Sequence, residues 1–145
     1  MSGRGFAAYD DESLPGGERV VIAVGVDLVE ISRIEAVLKR HGDRFLRRVY
    51  TDGELSYANE RPSALAARWA AKEATAKALG TGIGPVSFRE IEVVCDAMGK
   101  PGLYLHGSAA RLAAHLHLEH FALSLSHAAD FALAFVVAQK SGGTD

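Results

Sequence analysis

The chain has 145 residues, 48% hydrophobic and 23% charged, the make-up of one globular domain with a single core rather than a disordered or fibrous chain. Its net charge of -2 argues against bulk nucleic-acid binding, which goes with a basic excess, and no apolar run reaches the ~20 residues that span a bilayer. Cys95 is the only cysteine, which excludes an intramolecular disulfide and a Cys-rich zinc site and makes a reducing, cytoplasmic setting the default expectation.

Residues 1–18 are rich in Gly, Ser and acids and read as a tail; Asp10, Asp11 and Glu12 ahead of the first apolar run are unlike a signal peptide. Residues 19–28 (R-V-V-I-A-V-G-V-D-L) are β-branched and apolar and predict a buried strand ending near Asp27, with Gly25 marking a close backbone approach. Ser32 and Glu35 have capping-box spacing and predict a helix to about Arg40, with Ile34, Val37 and Leu38 on its apolar face. A short helix is expected over 44–49, and Thr51-x-x-Glu54 caps another through Ala58. Ser63 is the expected N-cap of the Ala-rich helix 64–79, which Gly80 ends. Strands follow at 91–95 and 103–106, a helix at 108–117, and strands at 121–126 and 131–138 joined by residues 127–130. The polar stretch 140–145 reads as a second tail, leaving 19–139 as the domain. Helices first, then mostly short-linked strands, predict an α+β class with an antiparallel sheet packed against a long helix.

The stretch 68–84, R-W-A-A-K-E-A-T-A-K-A-L-G-T-G-I-G, carries the most chemistry. Glu73 and Lys77 are four apart and share a helical face. As a pair they read either as an exposed salt bridge or as a carboxylate and an ammonium serving a phosphate and its metal. Lys72 is a further point charge suited to phosphate, and Arg68 falls near the same face. Asp27 is either a turn cap or a hard-cation ligand; with Glu73 it would supply the one or two carboxylates that Mg²⁺ prefers beside phosphate oxygens. The G-T-G-I-G turn follows a helix instead of opening one and fits neither a Walker loop nor a dinucleotide fingerprint, so a helix stop is favoured. His127, closing S-L-S-H, reads either as a phosphate or ribose contact or as a turn histidine. Arg33, Lys39, Arg40, Arg44, Arg47 and Arg48 outnumber Glu35 and Asp43, which suits docking of an acidic partner or a solvated face equally. His115, His117 and His120 read as a surface helix end, and Cys95 as an inert buried thiol.

In this order the motifs resemble the holo-acyl-carrier-protein synthases, the small type of the 4′-phosphopantetheinyl transferase superfamily. The matching pieces are G-V-D-L-V-E-I-S-R-I (25–34), Arg44-Phe45, the stretch 68–84, F-R-E-I-E-V-V (88–94), G-K-P (99–101) and S-L-S-H (124–127). The resemblance implies an α+β fold that forms homotrimers with active sites between subunits, coenzyme A as donor and a serine of apo-acyl carrier protein as acceptor. It implies Asp27 and Glu73 as ligands of Mg²⁺ or Mn²⁺, and Glu73 and Lys77 as catalytic. Arg68, Lys77, Gly80 and His127 are then coenzyme A contacts, and Arg33, Arg44 and Arg48 belong to the face that receives the carrier. Trp69 stands where many members have Phe, the N-terminal stretch is longer than usual, and Arg47 adds charge. The rival classes are a silent coenzyme A-binding module, which the intact carboxylates disfavour, and a nucleic-acid binder, which the net charge disfavours.

Overall fold

A computed structural model describes residues 22–140; the expected N-terminal tail, residues 19–21 of the expected first strand, and residues 141–145 of the expected second tail lie outside the described residues. The elements run β1 (Ile22–Glu30), α1 (Ile31–His41), α2 (Asp43–Val49), α3 (Asp52–Ala58), α4 (Pro62–Ala78), β2 (Ile91–Cys95), β3 (Pro101–Leu105), α5 (Gly107–His115), β4 (Leu118–Ala128) and β5 (Phe131–Lys140), with a 3₁₀ turn at Phe88–Glu90 before β2. The strands form an antiparallel sheet of order β1-β5-β4 and a separate β2-β3 hairpin. The α+β class with an antiparallel sheet is as the sequence predicts.

Helix α4 lies across the inner face of the three-stranded sheet, and small residues let it do so. Ala132, Ala134, Val136 and Ala138 of β5 are fully buried beneath it, as are Ala70, Ala71, Ala74 and Ala76 of the helix. Gly25 of β1 is the tightest point: a Cβ there would lie 1.8 Å from the Ala74 carbonyl oxygen. The close approach expected at Gly25 is therefore real, and its partner is the chemistry-bearing helix.

The expected buried strand is buried on one face only. Ala23, Gly25, Asp27 and Val29 turn inward, while Ile22, Val24, Val26 and Leu28 stand exposed on the outer face. Phe131, Leu133 and Phe135 of β5 continue that exposed apolar face. A strand apolar on both faces reads as buried because period-2 alternation cannot show whether a second layer exists. Asp27 lies inside β1, opposite Ala134, rather than at its end.

Helix ends differ from expectation where tertiary partners replace side-chain caps. The Ser32 capping box does not form: β1 runs directly into α1 with Glu30 as N-cap, and the Ile31 N–H donates to the Asp130 carbonyl, 2.8 Å away in the β4–β5 turn. The Thr51–Glu54 box does form. Helix α4 starts at Pro62 with Arg61 as N-cap, not Ser63, since proline suits the first helical position. Gly80 leaves α4 at φ +85°, a left-handed conformation suited to glycine. The last strands are longer than expected, so His127 is a strand residue and the turn shrinks to Ala129-Asp130. Lys140 belongs to β5 and not to a tail.

Candidate active site

Packed on the sheet, α4 is buried almost all round. From Leu65 to Ala78 only Trp69, Glu73 and Lys77 escape full burial, a single i, i+4, i+8 stripe. The Gly25–Ala74 contact fixes this stripe against β1, and Asp27, two residues on along the same face, meets it. Lys77 Nζ donates to Asp27 Oδ1 at 3.1 Å and to the Val26 carbonyl at 3.0 Å. Desolvation pushes the half-buried Glu73 carboxyl above its ordinary range; the Asp27 charge adds to that push, and Lys77 and Arg33 oppose it. Asp27, Glu73, Lys77 and Arg33 thus share one electrostatic neighbourhood, although Asp27 and Lys77 are 50 residues apart.

Two converging carboxylates that repel each other fit a hard divalent cation. Among the described residues no cluster of three or more His, Cys, Asp or Glu side chains could hold a metal ion by itself. A two-carboxylate set still suits Mg²⁺, which completes its shell with water and substrate phosphate.

Arg68 does not share this face. It precedes Glu73 by five residues and so points roughly 140° away round the helix. The residue is only 4% exposed; its guanidinium stacks 4.2 Å over the Tyr57 ring and donates to the Ala64 carbonyl at 3.3 Å and to Cys95 Sγ at 3.5 Å. Among the described residues its Nε–H, itself sealed from solvent, has no hydrogen-bond partner. Arg68 lines a cavity of about 270 Å³ with Tyr57, Arg61, Cys95, Ser126 and His127. A guanidinium in the cavity wall, beside Arg61 and a histidine and with no acidic side chain among the described lining residues, suits an anion such as phosphate. The structure therefore joins Arg68 to His127, but within one chain it separates both from Asp27, Glu73 and Lys77. Gly80, at the far end of α4, lines neither place.

Lys72 is not available to a phosphate. It is fully buried and donates to Glu54 Oε1 at 2.7 Å, the Phe88 carbonyl at 2.9 Å and the Ile91 carbonyl at 2.5 Å. Glu54 also accepts the N–H groups of Thr51 and Val93, both at 2.9 Å. This satisfied ion pair ties α4 to α3 and β2. The flanking alanines of 70–74 could have signalled a buried lysine; nothing nearby in sequence announced its partner.

Arg33, Arg44 and Arg48 are exposed on α1 and α2. Arg44 and Arg48 line a shallow groove with His41 and Phe45. Phe45 packs on Trp69, their ring centroids 6.0 Å apart, and Trp69 on Phe88, 4.5 Å away. The basic face thus adjoins the Trp69–Glu73–Lys77 stripe. Sequence reasoning missed Tyr57, whose ring carries Arg68 from eleven residues upstream with no motif to mark it.

Fold and site together define an α+β enzyme of the phosphoryl-transfer kind, and comparison with known proteins makes that specific. The family model of the 4′-phosphopantetheinyl transferase superfamily matches residues 23–136. The chain is 49% identical over 124 residues to the holo-[acyl-carrier-protein] synthase of Herpetosiphon aurantiacus, covering 81% of this chain and 98% of that one. The crystal structure of the Neisseria meningitidis holo-[acyl-carrier-protein] synthase matches with a TM-score of 0.75 at 41% identity, over 81% of this chain and 98% of that one. The Helicobacter pylori synthase in complex with coenzyme A matches with a TM-score of 0.74 at 34% identity, over 79% of this chain and 98% of that one. The chain belongs to the 4′-phosphopantetheinyl transferase superfamily and, within it, to the holo-acyl-carrier-protein synthases.

Proposed function

We propose that this chain transfers the 4′-phosphopantetheine group of coenzyme A to a serine of apo-acyl carrier protein, releasing adenosine 3′,5′-bisphosphate, in fatty acid or polyketide biosynthesis. The observation that carries the reading is the convergence of Asp27, Glu73 and Lys77 on one exposed stripe of an otherwise buried helix.

Asp27 and Glu73 would hold Mg²⁺ or Mn²⁺, and the ion would supply charge neutralisation to a diphosphate such as that of coenzyme A. Glu73, its basicity raised by burial and by Asp27, takes the proton of the carrier serine as the new phosphorus–oxygen bond forms. Lys77, half exposed at the same spot, turns from Asp27 to the charge that grows on the departing adenosine bisphosphate. Arg68 and His127 hold a phosphate of the nucleotide, and Gly80 lies along the coenzyme A path. Arg33, Arg44 and Arg48 receive the acidic carrier protein, with Phe45 as the apolar floor between the last two.

The separation of Arg68 and His127 from the carboxylates favours a site shared between copies in a homotrimer: one chain gives the carboxylates, its neighbour the cavity. The exposed outer face of β1 and β5 gives such an assembly an apolar surface to bury. No helix among the described residues is long and apolar enough to cross a membrane. The chain acts in the cytoplasm in this reading.

The test mixes the protein with Mg²⁺, coenzyme A and several apo-carrier proteins and reads intact mass. A phosphopantetheine gain on the carrier is expected, and Glu73→Gln lowers its rate by about 100-fold or more. No gain on any carrier, or full turnover by Glu73→Gln, overturns the reading.

A further inference from the structure

We infer that Tyr57 is a positioning residue for substrate binding: its ring holds the Arg61 and Arg68 guanidiniums together in the cavity wall while adding no negative charge beside the anion they receive. The inference rests on the reading of that cavity as the nucleotide phosphate subsite. The three side chains come from different elements, Tyr57 near the end of α3, Arg61 in the turn that follows and Arg68 on α4. Arg68 Cζ lies 4.2 Å from the Tyr57 ring centroid and Arg61 Cζ 5.7 Å from it. Both are within the ~6 Å over which a ring face attracts a cation. The turn is shaped to bring Arg61 there. Asn59 (φ +46°) and Glu60 (φ +58°) are both left-handed, and two such residues in succession are uncommon and costly without a glycine. The Arg61 backbone N–H and Nε donate to the Ala58 carbonyl at 2.9 and 3.0 Å, and Nη2 donates to the Tyr57 carbonyl at 3.0 Å. Among the described residues these bonds leave Nη1 of the exposed Arg61 unengaged. Arg68 is fixed from its other side by the Ala64 carbonyl and by Cys95 Sγ. Cys95 is half-buried, not the sealed core thiol that its strand pattern suggests.

Two guanidiniums lining one small cavity repel each other, and their places must hold before an anion arrives. A carboxylate between them would hold them, but it would also repel a phosphate. Among the described residues the cavity lining contains no acid, and Tyr57 stands where one would serve. A ring face attracts both cations and carries no net charge, so the field in the cavity stays positive. Arginines already held in this way lose less freedom when the anion binds, and the difference appears as affinity. Tyr57 is 49% exposed, so removing its ring should weaken binding far more than folding.

The full-length parent and its variants are compared by calorimetry with adenosine 3′,5′-bisphosphate, by thermal melting, and by KM and kcat for coenzyme A with an apo-carrier protein. Tyr57→Phe keeps the ring and should bind the nucleotide as the parent does. Tyr57→Leu should bind it about tenfold more weakly and raise KM for coenzyme A, with kcat within about twofold of the parent. Tyr57→Glu supplies a charged partner that holds the arginines, yet it should bind the nucleotide more weakly still. In an Arg61→Gln background the cost of Tyr57→Leu should shrink to about threefold, because the two residues act together. All of these chains should melt within a few degrees of the parent; if Tyr57→Leu unfolds, Tyr57→Gln takes its place with the same expectation. Parent-like binding by Tyr57→Leu overturns the inference. So does an equal loss in Tyr57→Phe and Tyr57→Leu, a Tyr57→Glu chain that binds as the parent does, or a loss confined to kcat. A parent that does not bind the nucleotide brings down the cavity reading under Proposed function and this inference with it, whereas a parent that binds beside a Tyr57→Leu chain that binds equally well brings down this inference alone.

Discussion

Glu73 is held in a state that costs the fold something, and that cost has a measurable sign. Its carboxyl is raised by desolvation and then by Asp27, so the folded chain binds a proton there more readily than the unfolded chain, whose carboxyl titrates at about 4.3. Without metal, stability therefore falls as pH rises through the raised folded value, and neutral pH carries the full penalty, tempered by solvent around this half-exposed group. Glu73→Gln removes it: the metal-free variant should melt a few degrees higher than the parent at neutral pH, and the gap should shrink as the pH is lowered. A variant less stable than the parent at neutral pH contradicts this. The neighbour's share is separable, because in Asp27→Asn the Glu73 carboxyl should titrate lower than in the parent when followed by side-chain NMR without metal. An unmoved titration would show that Asp27 is too far away to matter.

Two contacts hold α4 in place, one apolar and one ionic, and both decide where its stripe points. At Gly25 a methyl group has nowhere to go but into the Ala74 carbonyl. Gly25→Ala should cost about 1–3 kcal/mol by overpacking. It also pushes α4 off β1, so Glu73 and Lys77 move relative to Asp27 and turnover falls by about 100-fold; parent-like melting and turnover would show that the contact is loose. At Lys72 the danger is the opposite, a vacancy: Lys72→Met leaves Glu54 buried and uncompensated at about 3–5 kcal/mol. Chemical denaturation should show that loss, and adding Glu54→Gln should cost less than the sum of the single changes because the two share one interaction. Most of these elements could be read in the sequence: the Ala-rich helix, the Thr51 capping box, the β2 strand and the glycine at the close approach each carry a local signal. Glu73 with Lys77 could be read as a pair, and Asp27 as an acid out of place in an apolar strand. The role of Lys72 and the position of Arg68 could not, since helical spacing says which residues share a face but not which face the sheet will cover. That choice is made by Gly25 and the β5 alanines, far away in sequence.

At the scale of the whole molecule the dominant surface feature is the apolar outer face of the sheet. Val26 of β1 stands opposite Phe135 of β5 and Leu28 opposite Leu133, with Ile22, Val24 and Phe131 extending the same exposed face, and Leu28 reaches 60% exposure. A single chain in water gains nothing from such a face, which marks an interaction surface. The inner face of the same strands carries Asp27, so in the shared-site reading proposed above whatever covers the outer face also sets the distance from one chain's carboxylates to the next chain's Arg68 and His127. Replacing Val24 and Leu28 together by Glu puts two charges into that surface without touching the inner packing. The expected outcome is a folded chain, by circular dichroism, that sediments as a monomer where the parent sediments as a trimer. If the site is shared, this monomer should lose transfer activity while Glu73 and Asp27 remain intact. Mixing it with a Glu73→Gln chain should give no recovery, because the charged face cannot enter the assembly. A monomer as active as the parent would place the whole site within one chain, and a parent that is itself monomeric would require another partner for the apolar face.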